Sequence, residues 1–238
     1  MPSSRHRCIR RPVRWGAVCL AIVAISVAAP SLLRETLHFL VVDEGTGPAD
    51  YVVPLGGDQV YEQAPRLVRE KLAQRVLLSR WHPSRIVRFN IIPPREALAR
   101  HRLALAGIAA EMVDITPRAA RTSADSLRDV AAWLAERSEA TAIVLCPRLE
   151  GRRLALERDR YVEPALAQRM RIVAIADREL DERCWWRDRL SAKSLLSAWI
   201  GLAIEVCFGE MHPEPDDWDP DQYEKSLRSK SLHSGSHL

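Results

Sequence analysis

The sequence predicts an α/β domain, because short apolar, β-branched runs alternate with stretches of helical periodicity. That is the pattern of βαβ units, and it implies a mostly parallel sheet covered by helices on both faces. Two further observations agree. The stretch Asp50 to Asp58, DYVVPLGGD, reads as a buried strand running into a Gly-Gly turn that opens a helix. The chain of 238 residues, 47% hydrophobic and 28% charged, is long enough for one good core and short for two.

The first segment in chain order lies outside that pattern. Residues 1–14 are a basic N-terminus carrying Arg5, Arg7, Arg10, Arg11 and Arg14, and Trp15 to Leu33 is an uncharged run of 19 residues. Such a run is close to the length that crosses a bilayer as a helix. The arginines before it place the N-terminus in the cytoplasm and everything after Arg34 on the far side, as an extracytoplasmic domain on a single-pass anchor in the cytoplasmic membrane. A cleaved signal peptide is the competing reading, with Val27-Ala28-Ala29 offering small residues to a peptidase. A buried core helix is a third, disfavoured by the arginine flank. The organisation expected is therefore 1–14 basic terminus, 15–33 transmembrane helix, 34–208 α/β domain and 209–238 disordered tail, the last rich in prolines and acidic residues.

Within the domain, the strands expected are Tyr51 to Leu55, Arg75 to Ser79, a short piece near Glu111 to Ile115, Thr141 to Cys146 and Arg171 to Ala176. Val60 to Ala73 and Ser123 to Arg137 carry apolar residues at helical spacing. Arg95 to Ala106 reads as a helix that Gly107 ends. Ala192 to Phe208 reads as a last helix with Leu195, Leu196, Trp199, Ile200, Ala203 and Ile204 on a wide apolar stripe.

The net charge of +4 is smaller than the five arginines of the N-terminus contribute, so the remainder is near neutral and no nucleic-acid footprint is expected. The cysteines Cys8, Cys19, Cys146, Cys184 and Cys207 show no CxxC spacing and no paired histidines, which argues against zinc and against a disulfide scaffold. Buried thiols are the plainer reading of Cys146 and Cys207. No metal is expected, and no cofactor is named by the sequence.

The candidate ligand-binding residues are Gly56, Gly57, Asp58, Thr122, Ser123, Arg152 and Arg153. The glycines permit φ > 0 and close approach of a ligand to the backbone, and the helix after them offers unpaired N–H groups at a positive dipole end. They could equally make only a tight turn, with Asp58 as N-cap. A GxGxxG dinucleotide site is absent, since the third glycine is missing. Thr122 and Ser123 precede a helix, where a hydroxyl caps it or binds an anion. Arg152 and Arg153 follow the fourth strand at the carboxyl edge of the sheet, where a guanidinium can hold a phosphate or carboxylate through two hydrogen bonds, or simply lie in solvent. Glu150 beside them is a salt-bridge partner or a general base, and Asp58 is the other weak catalytic candidate. Trp185-Trp186-Arg187 is either an aromatic wall or packing for the last helix. No GxSxG occurs, so a serine-hydrolase elbow is not indicated.

Several pieces, in this order, resemble the YdcF/SanA/ElyC-like family of bacterial envelope proteins (domain of unknown function 218). They are the N-terminal apolar segment followed by Phe39-Leu40-Val41-Val42, Pro48-Ala49-Asp50 leading into Gly56-Gly57, Ala64-Pro65-Arg66-Leu67, and Leu72 through Ser79. Gly107, Glu111, Arg121-Thr122-Ser123, Gly151-Arg152-Arg153 and Trp185-Trp186-Arg187 follow, before a last helix with Trp199. The resemblance spans about Leu37 to Phe208, and it rests on order and spacing, since none of these motifs is specific alone. It implies a Rossmann-like three-layer domain and a role in envelope or peptidoglycan physiology. Four positions depart from the family pattern. Glu150 stands where a histidine is usual, in Pro147-Arg148-Leu149-Glu150 in place of Ser-Pro-Tyr-His, and Asp125-Ser126 replaces Glu-Asn. The arginine after the glycines is missing, with Tyr61 and Glu62 nearby, and Arg80-Trp81-His82 replaces a glycine-rich turn.

Three functional readings stand on the sequence. The first is a membrane-anchored domain that binds a small anionic ligand, a nucleotide, phosphorylated sugar or cell-wall precursor, in envelope maintenance. The second is a hydrolase or transferase acting on a phosphorylated or glycan-linked substrate. The third is a non-catalytic scaffold. The lipid bilayer, through Trp15 to Leu33, is the expected partner.

Overall fold

The computed structural model describes residues 29–89, 91–178 and 180–209. Five parallel strands form one sheet in the order β3-β2-β1-β4-β5. They are β1 Ala49–Pro54, β2 Ala73–Trp81, β3 Val113–Ala120, β4 Ala142–Pro147 and β5 Met170–Ile175. All five expected strands are present. The third is the least well placed by the sequence. It extends to Ala120, past Pro117, and the residues before it, Ala110–Met112, form a 3-10 turn instead.

A parallel sheet buries both faces, which is why its strands read as continuous apolar runs. Alternate residues then enter opposite cores. Tyr51, Val53 and Leu55 pack with Ala142, Val144 and Cys146 on one face, while Val52 packs with Ile143 and Leu145 on the other. Helices α2 (Asp58–Arg69) and α4 (Arg95–Leu105) cover the Val52 face through Val60, Ala64, Leu67, Ala99 and Leu103. A short helix α3, Arg85–Arg88, lies between them in the chain. Helix α5 (Ser123–Ala135) covers the Tyr51 face, with α6 (Gly151–Tyr161) and the short α7 (Pro164–Ala167). The result is three layers with Rossmann-like strand order.

Helix α6 is not among the helices expected from the sequence, and neither are the short α3 and α7. Helix α6 begins at Gly151, directly after the turn that ends β4, so Arg152 and Arg153 are helical residues and not loop residues. A glycine is required there by close approach: a Cβ on Gly151 would lie 2.8 Å from the amide nitrogen of Val42.

A third apolar cluster lies outside the layers. The helix at 29–40, α1, buries Leu37 and Leu40 against Leu149, Leu180, Leu195 and Leu202, the last two from α8 (Arg189–Phe208). Phe39 stacks on Trp199 with ring centroids 5.3 Å apart. Trp185 packs here and donates its indole N–H to the carbonyl of Leu33 at 2.9 Å, so this tryptophan ties α1 to the layer it forms with α8. Only part of the stripe expected on the last helix is buried: Leu195 is 2% exposed, whereas Leu196 is 62% and Ile200 is 51% exposed.

The expected transmembrane segment Trp15 to Leu33 lies outside the described residues apart from 29–33, which are helical, and so does the tail beyond Gly209. Among the described residues the one helix with the length and apolar character to cross a membrane is α8. Cys146, Cys184 and Cys207 are free thiols. Cys207 is exposed, contrary to the buried placement expected, because it faces away from α1 and the core. Burial pushes the Cys146 thiol up to about 12, which leaves it unreactive.

Candidate anion-binding cleft

The chain leaves β1 toward β2 and β3 on one side and returns to β4 on the other, so β1 and β4 flank the point where the strand order reverses. In open α/β sheets, ligands bind outside the carboxyl ends of the strands at that point. A cleft of about 670 Å³ opens there, lined by residues from the turns after β1 and β4, the end of β2, and the starts of α4 and α5.

The turn after β1 is set by Gly56. Its φ of +130° lies where L side chains rarely go, and an added Cβ would sit 2.6 Å from Cδ of Pro147 at the end of β4. The glycine therefore lets the two turns touch and closes the floor of the cleft. Gly57 is the N-cap of α2, with φ −74° and no side-chain cap, and the space beside its α-carbon is open. This corrects the expected assignment of Asp58 as N-cap. Asp58 is the first helical residue, and its carboxylate faces α4, where both oxygens accept from the guanidinium of Arg102. That hydrogen bond holds Asp58 below the usual carboxylate range.

Across the cleft, Thr122 caps α5. Its hydroxyl accepts from the amide of Asp125 at 3.0 Å, and the Asp125 carboxylate accepts from the amides of Thr122 and Arg121 at 3.3 and 3.0 Å. The capping reading of this threonine thus describes the contact, and the reciprocal pair satisfies the amides of Thr122 and Asp125 internally. Ser123, one residue on, turns its hydroxyl toward α6, where it meets Arg153 at 3.5 Å and bonds the carboxyl of Glu157.

Arg153 is the centre of this wall. Its guanidinium lies 3.0 Å from Glu150 and 3.3 Å from Glu157. The Glu157 side chain is only 4% exposed, and its Oε2 has no partner. Burial pushes this carboxyl up, with Ser123 and Arg153 opposing. Glu150 and Arg153 also border a second hollow of about 620 Å³ against α8, so they partition the two spaces.

Six of the seven expected ligand-binding residues line the cleft, and Glu150 joins them. Arg152 does not. It reaches the opposite way, donating to the carbonyl of Phe39 at 2.9 Å and lying 4.9 Å above the Phe39 ring. One step along a helix turns a side chain by about 100°, which sends neighbouring arginines to different surroundings.

Arg95, Arg102, Arg121 and Trp81 also line the cleft, and none of them is among the expected ligand-binding residues. Arg95 lies 5.1 Å over the Trp81 ring, and the Arg121 guanidinium has no ion pair among the described residues. Their signal in the sequence was faint, since each is one arginine among many or, for Trp81, the replacement of an expected glycine turn. In all, four arginines and two carboxylates line the cleft, and each carboxylate is bonded to one of the arginines. The lining thus keeps a positive excess at Arg95 and Arg121. Set against protein-family models, curated proteins and solved structures, the chain has no match.

Proposed function

We propose that this cleft binds a small anionic ligand of the nucleotide, phosphorylated-sugar or cell-wall-precursor kind, in a YdcF/SanA/ElyC-like domain that serves envelope maintenance. In this reading the domain is anchored in the cytoplasmic membrane by Trp15 to Leu33, with the N-terminus in the cytoplasm and the domain outside. One observation carries the ligand class: unneutralised cations, the open amide end of α2 and an indole face converge on a single cleft at the strand-order reversal. A phosphate suits the guanidinium groups and the amide end. The Trp81 ring suits a flat or apolar group attached to it.

Binding is favoured over turnover by the state of the two carboxylates. Asp58 is held in its ionised form by Arg102 and so makes a poor base, and Glu150 is bonded to Arg153. The reading is tested by thermal shift with nucleoside diphosphates, sugar phosphates and inorganic pyrophosphate. At least one of these should raise the melting temperature of the full chain, and Gly57→Arg, which fills the open space at the α2 terminus, should abolish the shift. A chain whose melting temperature no phosphate-bearing ligand moves would overturn the proposal and leave the scaffold reading.

A further inference from the structure

Helix α8 has one face in the core and another that nothing among the described residues covers. Leu195 and Leu202 are buried against α1, whereas Leu190, Leu196, Ile200, Val206 and Phe208 are 51 to 76% exposed along its 20 residues. The one acidic residue of this helix, Glu205, is turned inward, where it accepts from Tyr161 at 2.8 Å and from Arg160 at 3.0 Å. The exposed positions are mixed as far as Ser197, where Arg189, Lys193, Ser194 and Ser197 stand beside Leu190 and Leu196, and they are apolar from Ile200 to Phe208.

The N-terminal end of α8 carries a collar of positive charge. Arg183, Arg187, Arg189 and Lys193 are exposed there and form no ion pair among the described residues. The acids between them are engaged elsewhere. Asp181 accepts from the amides of Arg183 and Cys184, Glu182 pairs with Arg148 at 2.7 Å, and Asp188 caps α8 through Ser191 at 2.7 Å. Beside this collar stand Trp185 and Trp186, and Trp185 is bonded to Leu33, the last residue of the uncharged N-terminal run.

We infer that the exposed face of α8 docks on the surface of a lipid bilayer, with the cationic collar against anionic headgroups. An apolar helix face with flanking cations and tryptophans has the chemistry of an interfacial helix. The point where the uncharged run meets the domain lies at the collar, so a membrane that receives the run is already at the N-terminal end of α8. The inference rests on the anchored reading for this orientation, and it is independent of what the cleft binds.

The test uses the full chain reconstituted into vesicles of phosphatidylcholine and phosphatidylglycerol. With the five cysteines changed to serine, a nitroxide is attached at Ile200→Cys or, separately, Phe208→Cys, and at the control position Arg100→Cys on exposed α4. Labels at 200 and 208 should be several-fold more accessible to oxygen than to an aqueous nickel chelate, and the label at 100 should show the reverse. Labels at 200 and 208 that stay as aqueous as the control overturn the inference. So does dipolar coupling between labels with exclusion of both relaxants, since a second copy would then cover the face. An alkaline carbonate wash of the same vesicles reads the anchor separately. Retention with aqueous labels overturns docking alone, and release with lipid-exposed labels overturns the anchor alone.

Discussion

Arg152 and Arg153 are adjacent in the chain and serve two different regions of the molecule. Arg153 enters the cleft and holds Glu150 and Glu157, while Arg152 lies over Phe39 in the apolar layer of α1 and α8. The cleft keeps charges that the fold leaves unneutralised, and the α8 flank keeps apolar side chains that the fold leaves uncovered. In both regions the surplus marks where the molecule has something left to bind, and helix α6 is the divider between them.

The largest way to break this comparison is to remove the arginine on the cleft side. Arg153→Met leaves the nearly buried Glu157 without its cation, and losing one partner of a buried pair costs about 3 kcal/mol. The sign with pH is fixed by Glu157. Its folded-state value is raised, so the folded chain holds the proton more tightly than the unfolded one, and stability falls as pH rises from the ordinary glutamate range through the raised value. The deficit of Arg153→Met should therefore be fullest above that range and should shrink on acidification, as urea unfolding at several pH values will show. Ligand-induced stabilisation should be lost at least tenfold in apparent affinity. A deficit that is flat with pH would mean that Arg153 supports the fold by packing alone.

Second in size is the floor of the cleft. Gly56→Ala forces a side chain into a left-handed conformation and against Pro147, a cost of about 2 to 3 kcal/mol. Gly57→Ala meets no atom within 4 Å, and its change in stability should stay within about 1 kcal/mol. Equal losses from the two substitutions, measured by denaturant unfolding, would show that the turn after β1 does not need its contact with β4.

The unequal roles of these glycines, like those of the two arginines, show what the sequence could carry. The strands were legible because a parallel sheet writes its burial as continuous apolar runs, and the turn at Gly56-Gly57 because a glycine pair after such a run has few other uses. Helix α6 was not legible, since Gly151-Arg152-Arg153 opens it with a poor helix former and two charges, and its aliphatic positions are the one consecutive run Leu154-Ala155-Leu156, which shows no helical period. Missing that helix merged Arg152 with Arg153. The cleft's other cations were hidden for a different reason: Arg95 and Arg102 lie two turns apart on α4, Arg121 lies just before α5, and the two groups meet only after the sheet brings α4 and α5 to the same edge. No local pattern encodes such a meeting. The uncovered stripe of α8 was visible as apolar, but periodicity alone does not say which apolar face is left outside.

A milder test sharpens the comparison from the other side. Arg152→Ala removes one hydrogen bond and one cation–π contact at the surface, about 1 kcal/mol together. Its effect should appear in stability alone, with the ligand-induced thermal shift of the wild type retained. Loss of that shift would return Arg152 to the cleft and undo the division along α6.

The smallest effect concerns Asp58, whose carboxylate already occupies the Arg102 guanidinium at the mouth of the cleft. Both side chains are exposed, 72% for Asp58 and 46% for Arg102, so the pair contributes less than about 1 kcal/mol to stability. That contribution is present above the ordinary aspartate range and is lost as pH falls through the depressed folded value. An arriving phosphate competes with Asp58 for the same guanidinium. Asp58→Asn should then change stability little and raise affinity for a phosphate-bearing ligand by about two- to fivefold, read by titration calorimetry. Wild-type affinity should climb toward that of the variant as acid protonates Asp58, while the variant shows no such climb. If Asp58→Asn instead weakened binding, the carboxylate would be a ligand contact in its own right, accepting from a hydroxyl of the bound molecule, and Arg102 would serve to hold that carboxylate in place.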